Sequence, residues 1–432
     1  LVVILFVTYI MLGIARLRLN FAGIGVSFLI ALLSIAFALG LVFGVNFLIT
    51  KAYPHYEVFY MSNFYNAHYY FYAFIALTFL VFMLVYSFYL KHVNIYNVMA
   101  AVFLLFMLVS GFLLWLLPTA SYMTIVPLLL VLVAFNIALF FGINADNKPK
   151  TYHALMLIAL LPVIFLISPY IYLIFVIFGL NLPIAGAGML MLLLLFALPF
   201  LEKSLVKLRG VILLFALGLI FTFLIIAHVK SSPTDSRPLQ SNVMYASFQD
   251  NTDAYWLSSN HRVDEWNKQF FADAKIDSIN DIYPGRKKLF LKSNAEFIHF
   301  DSPELNLVKD SSSVNYRLVE FVLQPRVDAV MTDILIPKKY NLMSLSINNR
   351  NIDFNDYPTV NNQVYWVRLI NPSIDPITFG LEYQHNDSLE VSVVEKVLGL
   401  PDLQYIEPMP SHIIPDTDFE SNMTLSISKF EI

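Results

Sequence analysis

Eight apolar runs follow one another through the first half of this chain, near residues 1–15, 22–49, 71–90, 98–117, 123–141, 154–180, 184–200 and 210–227. A hydrocarbon core is crossed by roughly 20 mostly apolar residues in one helix, because backbone in lipid has to satisfy its own hydrogen bonds. The first run is too short for this. It starts at Leu1 with no initiator Met and no charged leader, so the expectation is a segment of a longer polypeptide. Charge follows the same division. Only 13% of residues are charged, against roughly a quarter in a soluble domain. Residues 1–228 hold nine Lys/Arg and three Asp/Glu, a net +6, and the remaining eighteen and twenty-eight leave the rest at −10.

Short cytoplasmic connections are enriched in Lys and Arg. Arg16 and Arg18 follow the first run, Lys91 the third, Lys148 and Lys150 the fifth, and Lys203, Lys207 and Arg209 the seventh, whereas the alternate connections hold only Lys51. The odd-numbered exits are therefore expected in the cytoplasm, and both the chain start and everything after Ile226 outside it. The second connection, Tyr53 to Tyr72, is crowded with Tyr, Phe and His, and reads as an interfacial segment at the headgroups of the outer face.

After Lys230 the composition changes through Ser231-Ser232-Pro233-Thr234-Asp235-Ser236-Arg237-Pro238, a polar stretch with turn chemistry. Beyond it, alternating or β-branched runs recur between Asn, Asp, Pro and Gly: 242–248, 288–291, 316–323, 330–336, 342–347, 364–370, 377–383, 389–394 and 424–430. Many short strands at such spacing predict a β-sandwich, with one helical patch over 263–271. The expected architecture is thus an α-helical polytopic membrane bundle of about eight spans (1–228), a linker (229–240) and an all-β, sandwich-like soluble domain (241–432) outside the cytoplasm.

The chemistry-bearing residues are few. All twelve charges of the first 228 residues fall at span ends or in connections, which argues against an ion-coupled transporter, whose charges sit at the midplane. Asn46 and Asn136, the most polar mid-span residues, read as interhelical hydrogen-bonding side chains. His55, Glu57 and His68 share the aromatic connection but match no zinc spacing, and Glu57 alone lacks the carboxylate partner of a membrane glycosyltransferase loop. His299-Phe300-Asp301-Ser302 is similar to the His-x-Asp-Ser of di-zinc aminopeptidases, yet no further ligands or Glu base follow it. No Gly-x-Ser-x-Gly, His-Glu-x-x-His or phosphate loop occurs. No catalytic, cofactor-binding or metal-ligating residue is therefore assigned within the chain. An acidic tail without a basic stripe excludes nucleic acid as a partner. Asn386-Asp387-Ser388 and Asn422-Met423-Thr424 fit the glycosylation pattern and are candidates if the source is eukaryotic. Absent Cys rules out disulfides and thiolate metal sites.

Two stretches carry a family likeness. Leu117-Pro118-Thr119-Ala120-Ser121-Tyr122, continuing to Pro127-Leu128-Leu129, resembles the Pro-Gly-Ala-Ser-Tyr and Trp-Pro-Leu segment in the membrane region of the endoplasmic-reticulum metallopeptidase and vacuolar membrane protease family; Thr119 and Val126 replace its Gly and Trp. Asp253-Ala254-Tyr255-Trp256-Leu257 with Val263 to Phe270 resembles the Ala-Tyr-Trp and Asp-x-Trp pattern that opens the C-terminal domain of that family and its bacterial relatives. The resemblance implies a membrane-bound zinc exopeptidase whose aminopeptidase-like catalytic domain, with its zinc and peptide substrates, lies upstream of this segment. This chain would then be the membrane anchor and C-terminal accessory domain, periplasmic in a bacterium or lumenal in a eukaryote. Absent Cys and a Lys-, Asn- and Ile-rich tail lean towards the bacterial inner membrane. The alternative is a non-enzymatic polytopic membrane protein whose β-domain binds a partner or glycan through aromatics such as Tyr255, Trp256 and Trp266, unless those rings pack in its core.

Overall fold

The computed structural model describes residues 1–313, 316–352, 363–372, 375–384, 388–417 and 420–432. The chain forms two compact units, Leu1–Ser232 and Pro233–Ile432, and the break falls inside the stretch 229–240.

The first unit is helical: α1 Val2–Ala15, α2 Phe21–Ala52, α3 Ala67–Tyr89, α4 Ile95–Leu116, α5 Tyr122–Phe140, α6 Pro149–Phe178, α7 Pro183–Lys207 and α8 Arg209–Val229. Among the described residues, the seven helices α2 to α8 are long and apolar enough to cross a membrane, so this is a multi-pass integral membrane protein. The 14-residue α1 is too short to span. It packs against α5, with Tyr9 fully buried and donating to the Tyr96 carbonyl at 2.7 Å. Local chemistry sets several helix ends. The Asn20 side chain accepts from the Gly23 amide at 2.5 Å, Asn94 caps α4 through the Tyr96 amide, and Pro149 and Pro183 open α6 and α7. Asn136 Nδ2 donates to the Leu5 carbonyl at 3.1 Å and Asn46 Nδ2 to that of Leu180 at 3.1 Å, so both polar side chains reach across to another segment of the bundle.

Side-chain contacts gather the basic residues at one end of this bundle. Arg16 Nη2 donates to the Phe140 carbonyl (3.0 Å), Lys203 Nζ donates to that of Ala145 (2.6 Å), and the Arg18 and Arg209 guanidinium groups lie over the rings of Tyr96 and Phe88. The opposite end carries the α2–α3 connection, the α6–α7 turn and the exit of α8.

The second unit is all-β. Its strands are β1 Leu239–Ser241, β2 Met244–Phe248, β3 Asp253–Ser258, β4 Lys275–Asp277, β5 Phe290–Asn294, β6 Glu304–Ser312, β7 Arg317–Gln324, β8 Met331–Pro337, β9 Leu342–Ile347, β10 Arg350–Ile352, β11 Val364–Ile370, β12 Ile377–Tyr383, β13 Glu390–Leu398, β14 Ile413–Pro415 and β15 Met423–Glu431. An eight-stranded sheet runs in the order β11-β8-β13-β15-β2-β3-β5-β4, a five-stranded sheet in the order β10-β9-β12-β7-β6, and β1 pairs with β14. The five-stranded sheet packs over one end of the larger one, where Phe321, Phe379, Ile334 and Val393 share a fully buried core. On the opposite face of the large sheet, Met244, Leu335, Val394 and Leu425 are covered by Ile279, Ile282 and Tyr283.

The helix expected over 263–271 does not form. The Asp264 carboxylate accepts from the backbone amides of Trp266 and Asn267 at 2.8 and 2.7 Å, which winds an Asx turn leading into a single 3-10 turn, Asn267–Gln269.

Candidate functional site

Two polar constellations stand out, one in each unit. In the membrane unit, the aromatic connection after α2 packs against the bundle. It winds through short 3-10 turns at Pro54–Val58 and Tyr60–Ser62 and turns most of its rings inward: Tyr56, Phe59, Phe64 and Tyr70 are buried, while Tyr60 and Tyr65 remain exposed. Tyr56 stacks on Phe64 with ring centroids 3.7 Å apart. Amphipathic rings bury when a polar partner waits for the hydroxyl, and here Asn66 supplies it. Its Nδ2 donates to Tyr56 OH at 2.7 Å and to the Ala227 carbonyl near the end of α8 at 2.8 Å. Three more contacts hold the same exit: Tyr53 OH with His228 Nδ1 (2.7 Å), His55 Nε2 with the Ser231 carbonyl (2.9 Å), and Lys230 Nζ donating to Tyr69 OH (2.6 Å). The α6–α7 turn closes on the loop as well. Gly179, at φ +52°, lies so close that a Cβ there would sit 2.2 Å from the Met61 carbonyl oxygen. The chemistry is that of a latch, a set of hydrogen bonds holding the last turn of α8 to the α2–α3 connection.

In the β unit, four charges and a phenol form one network on the large sheet. Arg368 on β11 lies opposite Asp333 on β8 and binds it through two parallel bonds of 2.6 and 2.8 Å. Lys396 on β13 reaches the same carboxylate at 2.8 Å. Glu420, just before β15, contacts Lys396, the Tyr283 hydroxyl and, at 3.2 Å, Arg368. Asp333 and Lys396 are buried at 1% and 0% exposure. Burial pushes the Asp333 carboxyl up, but the bonds and charges of Arg368 and Lys396 outweigh it, and the net result lies below the ordinary carboxylate value. Arg368 is held above its ordinary value by Asp333. Tyr283 is held well above its own, first by burial and then by Glu420. On the outside, the guanidinium groups of Arg286 and Arg368 flank the Trp366 ring at 4.9 and 5.4 Å from its centroid. Every buried charge of this set has an opposite partner, so the network holds the sheet together and offers no free base or nucleophile.

The other face of the same strands bears Thr332, Glu395 and Ser426, aligned in one row across β8, β13 and β15. Glu395 Oε1 accepts from the Arg326 amide at 2.8 Å, while Glu395 Oε2, Thr332 Oγ1, Ser426 Oγ and Arg326 Nη1 are buried without a partner among the described residues. Burial raises the Glu395 carboxyl to about 7, against the opposing pull of the Arg326 amide and charge.

The residues singled out in the sequence fall elsewhere. Among the described residues no three His, Asp or Glu side chains gather as metal ligands, so His55, Glu57 and His68 do not form a centre. His299 and Asp301 are exposed, and Ser302 Oγ accepts a hydrogen bond of 3.1 Å from Ser428 Oγ on β15. Trp256 and Trp266 are buried, with Trp266 Nε1 donating to the Glu407 carbonyl at 2.8 Å, so these two rings belong to the core and are not a contact surface. Tyr255 is half-buried under Lys292, whose Nζ lies 3.9 Å from the ring centroid. Asn386 lies outside the described residues. At the other acceptor tripeptide, the Thr424 hydroxyl is buried and donates to the Gly399 carbonyl at 2.8 Å, which withdraws it from chemistry in the folded domain. The first family-like stretch forms the α4–α5 turn, with Ser121 Oγ donating to the Pro118 carbonyl and Ser110 Oγ to Thr124 Oγ1. The second forms β3 and the Asx turn.

Sequence reasoning missed the ionic network. Its signal was present in Asp333 and Lys396, each a charge inside an otherwise apolar strand pattern, where burial demands a partner. No family model matches this chain, and no curated protein matches it.

Proposed function

We propose that this chain is the membrane anchor and C-terminal accessory domain of a membrane-bound zinc exopeptidase, with the aminopeptidase-like catalytic domain upstream in the same polypeptide. The two family-like stretches carry this reading. A multi-span bundle followed by a β-domain, in the family's order, supports it. On this reading the bundle holds the peptidase at the bilayer, and the β-domain positions it or shapes the approach of peptide substrates. A cation-rich bundle end facing the cytoplasm, as the enrichment of Lys and Arg in cytoplasmic connections favours, supports a β-domain in the periplasm or an organelle lumen. Zinc and the hydrolytic residues belong to the upstream domain. The test is zinc content and aminopeptidase turnover of the native protein purified from its own membranes. Stoichiometric zinc and chelator-sensitive turnover there, with neither in residues 1–432 expressed alone, is the expected result. A native protein without zinc or hydrolytic activity would overturn the reading.

A further inference from the structure

The packing of α8 leaves a groove. This helix lies along α3 and barely touches α7. Where α3 and α8 meet, Ala76 and Ala216 are buried and allow the two backbones to approach closely. Beside that seam the side chains of α7 and α8 diverge, and a cavity of about 280 Å³ opens to the side of the bundle, walled by Ile75, Leu190, Leu219 and Phe223. No charged residue lines it. All three helices are long and apolar enough to cross a membrane, so a groove with this apolar lining suits a hydrocarbon occupant.

One end of the groove leads to polar groups. Tyr72 lines its mouth, 5.3 Å from the Phe223 ring, and the next turn of α3 towards the bundle end bears His68, its ring 6.2 Å from that of Tyr72. His68 lies against Tyr69, which accepts a hydrogen bond from Lys230 Nζ. Apolar wall, tyrosine hydroxyl, imidazole and ammonium thus succeed one another from bilayer interior to surface, the same order as chain, ester and phosphate in a phospholipid. The volume falls just below the roughly 300–1,000 Å³ of small-molecule sites, enough for a segment of one acyl chain and too little for a fused-ring lipid.

We propose that this groove holds one acyl chain of a phospholipid from the leaflet nearest Lys230, with the phosphate lying among Lys230, Tyr69 and His68. The lipid completes the packing between α7 and α8 that the helices leave open. The experiment is photolabelling of the full chain in vesicles of phosphatidylethanolamine and phosphatidylglycerol carrying a trace of phosphatidylglycerol with a mid-chain diazirine, followed by mapping of the adducts. Adducts should concentrate on the α3 and α8 groove residues relative to Phe43 and Phe47, which are exposed on α2. Leu219→Trp and Leu190→Trp, each filling the groove from a different wall, should lower them about fivefold, the scale of losing a well-packed chain segment. Leu214→Trp, on the exposed face of α8, should leave them unchanged. Lys230→Gln should reduce the preference for the phosphatidylglycerol probe over its phosphatidylethanolamine counterpart. Labelling spread evenly over all exposed helices overturns the proposal, as does groove labelling insensitive to both Trp variants, or cross-linking of this face to a second copy of the chain. The adduct map of the unmodified protein decides the question even where a variant misfolds.

Discussion

Individual charges in the β-domain carry consequences that single substitutions can read. Lys396 is fully buried between Asp333 and Glu420. Lys396→Met leaves Asp333 and Glu420 sharing Arg368 as their one cationic partner among the described residues, and unfolding followed by tryptophan fluorescence should show a loss of about 3 kcal/mol, the lower end of the cost of breaking a buried pair from one side. Three of the four tryptophans lie in this unit, which makes the signal specific to it. Glu395 gives the opposite kind of effect. The unfolded chain releases this proton as pH rises through its ordinary value of 4.5, whereas the folded chain keeps it to about 7. Stability therefore falls with rising pH across that window, and the loss, of order 3 kcal/mol, is complete above it. Glu395→Gln should flatten this slope and leave the domain more stable than the unmodified protein at pH 8; an unchanged pH profile would show that Glu395 is already ionised in the fold. Asp333, whose carboxyl is held low, contributes stability that is present at neutral pH and disappears as pH drops through its folded value.

At the scale of elements, the latch at the exit of α8 depends on Asn66. Asn66→Leu leaves the Tyr56 hydroxyl and the Ala227 carbonyl without their buried donor, a cost of about 1–3 kcal/mol, and trypsin should cleave after Lys230 faster than in the unmodified protein. Equal cleavage rates would mean that the remaining contacts of Tyr53, His55 and Lys230 suffice. Elements with a strong period were readable in advance. Runs 342–347, 364–370 and 377–383 coincide with β9, β11 and β12, and in β12 the alternation matches a strand with every second residue buried. Strand β6 was not, since it is largely exposed and polar and forms by pairing with β7 at the edge of its sheet. The 263–271 patch misled for a local reason, side-chain capping by Asp264, and the inward packing of the aromatic connection was not readable because its polar partners come from Asn66 and α8. The ionic network joins residues from β8, β11, β13 and two loops, and only strand register brings them together.

For the molecule as a whole, the proposed orientation in the bilayer rests on the clustering of Arg16, Arg18, Lys203 and Arg209 at one bundle end. The chain has no cysteine, so introduced ones report without background. In intact cells or sealed vesicles, an impermeant maleimide should label Ser232→Cys from outside and reach Lys148→Cys only after permeabilisation; the reverse pattern would place the β-domain in the cytoplasm and remove it from any extracytoplasmic peptidase. The central claim, that this bundle and β-domain serve a zinc exopeptidase, is tested most directly by the intact mass and N-terminal sequence of the native polypeptide in its own membranes. The account predicts a larger chain with a further folded domain before Leu1, rich in His, Asp and Glu ligands for zinc. A native polypeptide that begins at or near Leu1 would contradict it.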